Sequence, residues 1–154
     1  MPRANPWAVG NVVEIRLADG SLAYGVVIKP PLMGFSTRTF AARPDNFSWL
    51  SNAIDFRIWV MKYAIGIRGW PVVANMPLSQ ADLEVPLFYR YDIISKRFYH
   101  YVDCVNDIPA TRESCVGLEC AAVWDPSHIA DRLVDAACGR PNKWAASLKA
   151  DGRG

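Results

Sequence analysis

Apolar and polar positions alternate in two neighbouring segments near the start of the chain, from Val12 to Leu17 and from Leu22 to Lys29. A period of two predicts half-buried strands. Asp19-Gly20 between them predicts a tight turn, because glycine accepts a positive φ at little cost. The two segments are therefore predicted to form a hairpin, in which Gly25 marks a bulge or a close approach of another part of the chain.

The apolar segments that follow predict three more strands, at 34–42, 56–67 and 72–74. Pro30-Pro31 separates the first of them from the hairpin, because proline cannot donate a hydrogen bond to a strand ladder. The 56–67 segment is rich in β-branched and aromatic residues, which predicts a central strand.

A second hairpin is predicted from segments 85–92 and 97–103, with its turn at Ser95-Lys96. This register places three pairs on the face toward the core: Ile93 with Phe98, Tyr91 with His100, and Tyr89 with Val102. The residues of the opposite face are Phe88, Arg90, Asp92, Tyr99 and Tyr101.

Asp125-Pro126 predicts the start of a helix, because aspartate caps a helix well and proline is favoured at the first helical position. Ile129 and Leu133 recur at helical spacing, and Gly139 predicts its end. Together the elements predict an α+β fold, with a bent antiparallel sheet of about six strands and a C-terminal helix packed on it. The sheet is barrel-like if its edges meet. Residues 1–9 are predicted as an irregular lead-in, 10–140 as one domain and 141–154 as a flexible tail.

The composition is that of a globular domain, with 154 residues, 51% hydrophobic and 21% charged. These values exclude a mainly disordered chain. The start of the chain carries no apolar stretch of signal-peptide length, and the most apolar window, 56–74, contains Arg57, Lys62 and Arg68. We therefore expect a cytoplasmic protein that does not enter the membrane.

Charge is unevenly distributed along the chain although the net charge is only +2. Residues 1–81 hold eight basic and four acidic groups, whereas residues 82–135 hold ten acidic and five basic ones. The balance excludes a histone-like nucleic-acid binder. The middle segment either presents an acidic face to a basic partner or carries scattered, solvated charges.

The histidines and cysteines are candidates for two kinds of reactive site, a zinc site and a nucleophilic thiol. His100, Cys104, Cys115 and Cys120 are candidate zinc ligands, but the usual close pair of cysteines is missing. A thiol with His100 or His128 as its base is the candidate for nucleophilic catalysis. In a cytosolic chain these cysteines are more typical of reduced, packed thiols. Gly66-Ile67-Arg68-Gly69 lacks the lysine of a phosphate loop, so no catalytic residue, metal or cofactor is predicted.

Aromatic residues make up 12% of the chain and include six tryptophans. Most belong to the core, but the outward face of the second hairpin combines Arg90, Tyr99 and Tyr101. Tyrosine and arginine anchor protein interfaces. They also stack on single-stranded nucleic acid, yet the negative charge of 82–135 favours a protein partner. Tyr24 and Trp70 complete the predicted binding residues, as surface or pocket positions.

A set of motifs follows in order along the chain: the segments 10–15, 19–25, Trp70 with 76–78, 86–89, 99–101 and 117–124, and Arg132-Leu133. This ordered set resembles the bacterial immunity protein 26 family, small proteins associated with polymorphic-toxin gene clusters. The resemblance spans roughly residues 9–140.

The resemblance implies an α+β fold and a non-catalytic protein that binds and neutralises a cognate toxin. Two other functions stay open. The first is a small-molecule or nucleic-acid binding, barrel-like domain with a cleft near Tyr24, Gly25 and Trp70. The second is a hydrolase with a Cys–His pair. The sequence does not indicate the oligomeric state.

Overall fold

The computed structural model describes residues 5–102 and 106–153, which form an α+β structure with two β-sheets and a few short helices. The predicted fold class is confirmed, although the strands divide between two sheets instead of one. Within the described ranges neither sheet closes into a barrel. The strands are β1 (Asn11–Arg16), β2 (Leu22–Lys29), β3 (Leu32–Phe35), β4 (Phe56–Val60), β5 (Val72–Asn75), β6 (Phe88–Asp92), β7 (Arg97–Val102), β8 (Asn106–Ala110), β9 (Glu119–Cys120) and β10 (Val123–Trp124). The helices are α1 (Arg112–Cys115), α2 (Pro126–Ala137) and α3 (Lys143–Ser147), with 3-10 turns at Ser48–Leu50, Lys62–Ala64 and Ala150–Gly152.

The chain divides into two compact units. Unit 1 comprises residues 1–84 and 123–140, and unit 2 comprises residues 85–122 and 141–154. The chain therefore leaves unit 1, builds most of unit 2, returns to unit 1 and ends in unit 2. The predicted single domain over 10–140 stays a prediction.

Unit 1 contains the six-stranded sheet, in the order β10-β4-β3-β2-β1-β5. The first predicted hairpin is confirmed: β1 and β2 pair antiparallel, and Gly20 in the turn has φ 87°. Gly25 lies opposite Phe35 of β3, and a Cβ at Gly25 would lie 2.7 Å from the Phe35 ring. The close approach expected at Gly25 is therefore that of an aromatic side chain.

Two strand predictions in unit 1 were wrong in their bounds. The segment predicted as 34–42 forms its strand earlier, at Leu32–Phe35, because the chain reverses within Pro30-Pro31 and pairs with β2 at once. The segment predicted as one strand over 56–67 is a strand only to Val60. It then turns into the 3-10 helix, where the Met61 amide donates to the Trp124 carbonyl at 3.0 Å.

The helix predicted from Asp125-Pro126 is confirmed as α2. The Asp125 side chain accepts a hydrogen bond from the Ser127 amide, which caps the helix. Ile129 and Leu133 are completely buried, and the Arg132 guanidinium lies 3.9 Å from the centre of the Phe56 ring. These contacts pack α2 on the sheet of unit 1.

Unit 2 contains the four-stranded sheet, in the order β8-β7-β6-β9. The predicted hairpin exists, but its register was wrong by two residues: Tyr91 pairs with Phe98, and Tyr89 pairs with His100. The turn begins at Asp92, whose carboxylate accepts hydrogen bonds from the amides of Ile94 and Ser95. A shift by two residues keeps the residues of the two strands on the same two faces, but Phe88, predicted on the outward face, is buried.

The same shift places Ile93 in the turn. The predicted pairing with Phe98 required the Ile93 side chain to lie in the core, but it is exposed.

Residues 141–154 contribute α3 and a final 3-10 turn to unit 2. The Tyr89 hydroxyl donates a hydrogen bond to the Leu148 carbonyl. Ala150 packs in one cluster with Tyr89, Phe98 and Cys115. The segment therefore takes part in the core of unit 2, and its flexibility stays a prediction.

Candidate functional site

Trp70 lines an open cleft of about 460 Å³ in unit 1. The cleft lies between β1, the segment that leads into β5, and the first turn of α2. Its lining residues are Glu14, Ile15, Arg16, Tyr63, Ala64, Arg68, Gly69, Trp70, Pro71, Pro126, Ser127 and Ala130.

One wall of the cleft is a loop over residues 65–70, whose backbone hydrogen bonds fix its shape. The Trp70 amide donates to the Ala64 carbonyl at 2.7 Å, and the Gly69 amide donates to the Gly66 carbonyl at 3.1 Å. A Cβ at Gly69 would lie 2.1 Å from the Ala64 oxygen, so this close approach requires glycine. The Trp70 ring packs edge-on against Phe35 at 5.9 Å between centroids. The loop is therefore preformed.

The loop and the turn before it present large apolar side chains to solvent. Ile67 is 99% exposed, and Tyr63 is 63% exposed. Arg68 lies beside them and is also exposed. Tyrosine, tryptophan and arginine dominate the binding energy of protein interfaces, so the arrangement suits contact with a macromolecule.

The two carboxylates of the cleft region are held within the unit. Arg43 binds Glu14 through Nε at 2.7 Å and Nη2 at 3.1 Å, and the Tyr24 hydroxyl donates to Glu14 at 3.0 Å. The hydrogen bond from Arg43 is the largest cause that lowers the pKa of Glu14. Asp125 accepts hydrogen bonds from the Ser127 amide and hydroxyl and from the Tyr63 hydroxyl. These bonds lower the pKa of Asp125 to about 2.

Tyr24 lies inside unit 1 and offers no exposed surface. Its ring packs against three aromatic neighbours, Phe40, Phe47 and Trp49, at 4.9–6.1 Å between centroids. Burial and the Glu14 carboxylate raise the pKa of Tyr24 to about 12. Tyr24 therefore affects the cleft through Glu14, which lines it. The cleft predicted near Tyr24, Gly25 and Trp70 has Trp70 in its lining but neither Tyr24 nor Gly25.

The other three predicted binding residues lie together in unit 2. Arg90, Tyr99 and Tyr101 share one face of the β6–β7 hairpin, and each is half-buried. The Arg90 guanidinium binds Asp107 at 2.8 Å and lies 4.5 Å from the centre of the Tyr99 ring. This arginine already has a carboxylate partner in its own sheet, so the face contributes mainly aromatic area. Whether these residues bind a partner stays a prediction.

The acidic segment 82–135 does not belong to one unit. Its acidic residues divide equally, with Asp82, Glu84 and three residues of 123–135 in unit 1 and the other five in unit 2. Unit 1 holds ten basic and nine acidic groups, and unit 2 holds seven and six, so each carries a net charge of +1. Several of these acids also have structural roles, such as Asp82, which is buried and accepts hydrogen bonds from Ser51 and Asn52.

The candidate zinc and thiol sites do not assemble in the part of the chain that the structure describes. Among those residues, no three His, Cys, Asp or Glu side chains lie close enough together to hold a metal ion. Cys115 is buried, Cys120 is half-buried with its pKa raised by burial, and Cys138 is exposed, all as free thiols. The His100 ring lies 3.3 Å from the Ser114 carbonyl. Cys104 lies outside the described residues.

No helix in the described ranges has both the length and the apolar character needed to cross a membrane.

The comparison with protein families identifies the chain. The model of the family described as Immunity protein 26 matches residues 8–100. The chain belongs to the immunity protein 26 family. This confirms the resemblance expected from the sequence motifs. Searches of curated proteins and of solved structures each gave no match.

The family match of this immunity protein includes the whole 65–70 loop and both strands of the first hairpin. Sequence reasoning found Trp70 but missed Tyr63, Ile67 and Arg68. The signal was present in Gly66-Ile67-Arg68-Gly69, where two glycines flank an apolar and a basic residue. Such a segment is typical of a tight loop that presents its central side chains.

Proposed function

We propose that this immunity protein binds a cognate bacterial toxin in the cytoplasm and blocks it by contact, without catalysis. Family membership supports the class of function, and the match covers the loop that carries the exposed side chains. The observation that carries the proposal is the fixed 65–70 loop, which holds Ile67 in solvent and contributes Arg68 and Trp70 to the cleft lining. A preformed apolar and aromatic surface binds with little loss of conformational entropy.

The cleft is the primary contact surface in this proposal, and the hairpin face with Arg90, Tyr99 and Tyr101 is a second one. The two surfaces lie in different units. Tyr24 contributes indirectly, because its hydroxyl holds Glu14 at the rim of the cleft.

The test uses the toxin domain encoded by the gene next to that of the immunity protein. Co-expression is expected to restore growth of a bacterial host that the toxin domain alone kills. The purified proteins are expected to form a one-to-one complex, and toxin activity should fall in proportion to the immunity protein added. Inactivation by a small fraction of an equivalent would indicate an enzyme, and the lack of a complex would contradict the proposal.

The cleft volume supports a second candidate function, that of a small-molecule binding domain. About 460 Å³ with an aromatic wall lies within the size range of small-ligand sites. Thermal denaturation with and without nucleotides tests this function. A rise in melting temperature that Trp70→Leu abolishes would favour a ligand, and no shift would remove this candidate.

A further inference from the structure

We propose that the cleft of unit 1 receives an acidic segment of the partner protein, whose carboxylate pairs with Arg68 while an apolar side chain packs on Ile67 and Tyr63. This inference rests on the proposed function and adds the chemistry of the partner's contact surface. It differs from the alternative in which the acidic segment 82–135 presents an acidic face to a basic partner.

The first step of the argument is charge. Both carboxylates at the cleft are engaged within unit 1, Glu14 by Arg43 and Asp125 by Ser127 and Tyr63. Arg68, in contrast, forms no hydrogen bond or ion pair with any residue in the ranges 5–102 and 106–153. The cleft therefore offers positive charge that its own carboxylates do not balance.

The chemistry of the guanidinium group determines the complementary partner. A planar guanidinium binds carboxylate through two parallel hydrogen bonds and is less strongly hydrated than an ammonium group. Arg16 also lines the cleft, and its charge contributes to the lowered pKa of Glu14, after the larger contribution of Arg43. Two arginines along one cleft therefore fit a segment of the partner that carries acidic side chains.

The second step is apolar contact. Ile67 is almost completely exposed on a loop whose backbone is fixed by Gly69 and Trp70. An isoleucine in this state gains burial on binding without the cost of ordering its loop. The partner segment is thus expected to carry an apolar side chain beside its carboxylate.

A protein segment fits this surface better than a nucleic acid. Nucleic-acid binding relies on several cationic contacts to phosphates and on aromatic faces that stack on bases. Unit 1 has a net charge of only +1, and the most exposed side chain of the loop, Ile67, has no aromatic face. The observations therefore favour an acidic polypeptide.

The experiment measures the affinity of the neighbouring-gene toxin domain for the immunity protein by calorimetry, at low and at moderate salt. The variants are Arg68→Glu and Ile67→Ser. The matched control is Arg140→Glu, which changes the net charge equally at an exposed arginine that is paired with Asp135 at 3.3 Å and lies outside the cleft lining. Thermal denaturation confirms that each variant is folded.

The expected result is a loss of about tenfold or more in affinity for Arg68→Glu, with a weaker salt dependence than that of the unmodified protein. Ile67→Ser should lose affinity without a change in salt dependence, and Arg140→Glu should bind as the unmodified protein does. If the toxin binds and Arg68→Glu matches the control, the acidic-partner inference is wrong while the proposed function stands. If no complex forms at either salt concentration, the proposed function fails and the inference fails with it.

A second measurement separates protein from nucleic acid. Fluorescently labelled polyuridine is titrated with the unmodified protein and with Arg68→Glu. No binding is expected for either protein. Binding that Arg68→Glu abolishes would assign the cleft to nucleic acid and overturn the inference.

Discussion

The two units of this chain differ most in the size of their cores. In the described ranges, unit 1 buries 24 hydrophobic residues, from its sheet, from α2 and from the segments that connect them. Unit 2 buries five, namely Phe88, Tyr89, Phe98, Cys115 and Ala150. Since the burial of apolar surface is the main stabilising term in folding, unit 1 carries most of the folding free energy. The cleft thus belongs to the unit with the larger core, whereas the face with Arg90 and Tyr99 belongs to the unit with the smaller one.

The largest expected effect comes from the core of unit 1. Leu133→Ala on α2 should lower the free energy of unfolding by about 2–5 kcal/mol, because it removes a completely buried side chain and leaves a cavity. Denaturation in urea measures the change. Ile67→Ala is the control, since this side chain is exposed, and should change stability by less than about 0.5 kcal/mol. Equal losses for the two variants would contradict the placement of Leu133 in the core of unit 1.

A smaller loss is expected for Gly69→Ala, at about 1–3 kcal/mol, because the new Cβ would lie 2.1 Å from the Ala64 oxygen and the loop backbone must move. The toxin affinity should fall as well, since Ile67 and Arg68 move with the loop. Gly152→Ala is the matched control, because a Cβ there meets open space. Unchanged stability and affinity in Gly69→Ala would contradict the requirement for glycine at this position of the loop.

Tyr89→Phe in unit 2 should cost about 0.5–1.5 kcal/mol, because the Leu148 carbonyl loses the hydroxyl that donates to it. The amides of 143–153 should exchange faster with solvent, as measured by hydrogen exchange and mass spectrometry. Tyr91→Phe is the control, since Tyr91 packs on Phe98 at 4.8 Å through its ring. Fast exchange of 143–153 in the unmodified protein would instead support the predicted flexible tail.

The smallest effect concerns pH and the N-terminal cap of α2. The hydrogen bonds from Ser127 and Tyr63 lower the pKa of Asp125 from 3.8 to about 2 in the folded state. The stabilisation is therefore present above the unfolded pKa and is lost as the pH falls through the folded one. Because Asp125 is partly exposed to solvent, screening keeps the effect below about 1 kcal/mol.

Asp125→Asn tests this contribution, because asparagine also caps a helix but does not titrate. The melting temperature of the unmodified protein should exceed that of the variant at neutral pH, and the difference should shrink as the pH falls from 4 towards 2. Tyr63→Phe, which removes one of the three donors to the carboxylate, should show part of the effect. A difference that does not depend on pH would contradict the assignment to the carboxylate charge.

Local patterns predicted the elements that depend on local causes. The first hairpin follows from alternation and Asp19-Gly20, and α2 follows from the Asp125-Pro126 cap. The register of the second hairpin was missed because a side chain, Asp92, decides where the turn begins by accepting two backbone amides. Alternation alone does not contain that information, although it grouped Arg90, Tyr99 and Tyr101 on one face. It also placed Phe88 on that outward face, whereas Phe88 is buried.

Non-local pairing explains the larger differences. β10 pairs with β4 in parallel, so Val123 lies beside Trp59 although they are far apart in sequence. Nothing in either segment specifies this partner, and the division into two sheets therefore had to come from the structure. The same holds for the cleft, because Glu14, Arg68 and Ser127 come from three separate segments.

The order in which the chain visits its two units has a consequence for synthesis and for shortened versions of the protein. The last strand and the long helix of unit 1 emerge from the ribosome only after residues 85–122 of unit 2. Until then Trp124, Ile129 and Leu133 cannot pack on the sheet of unit 1, and its apolar surface stays exposed. A version truncated after residue 100, where the family match ends, would leave this apolar surface open to aggregation.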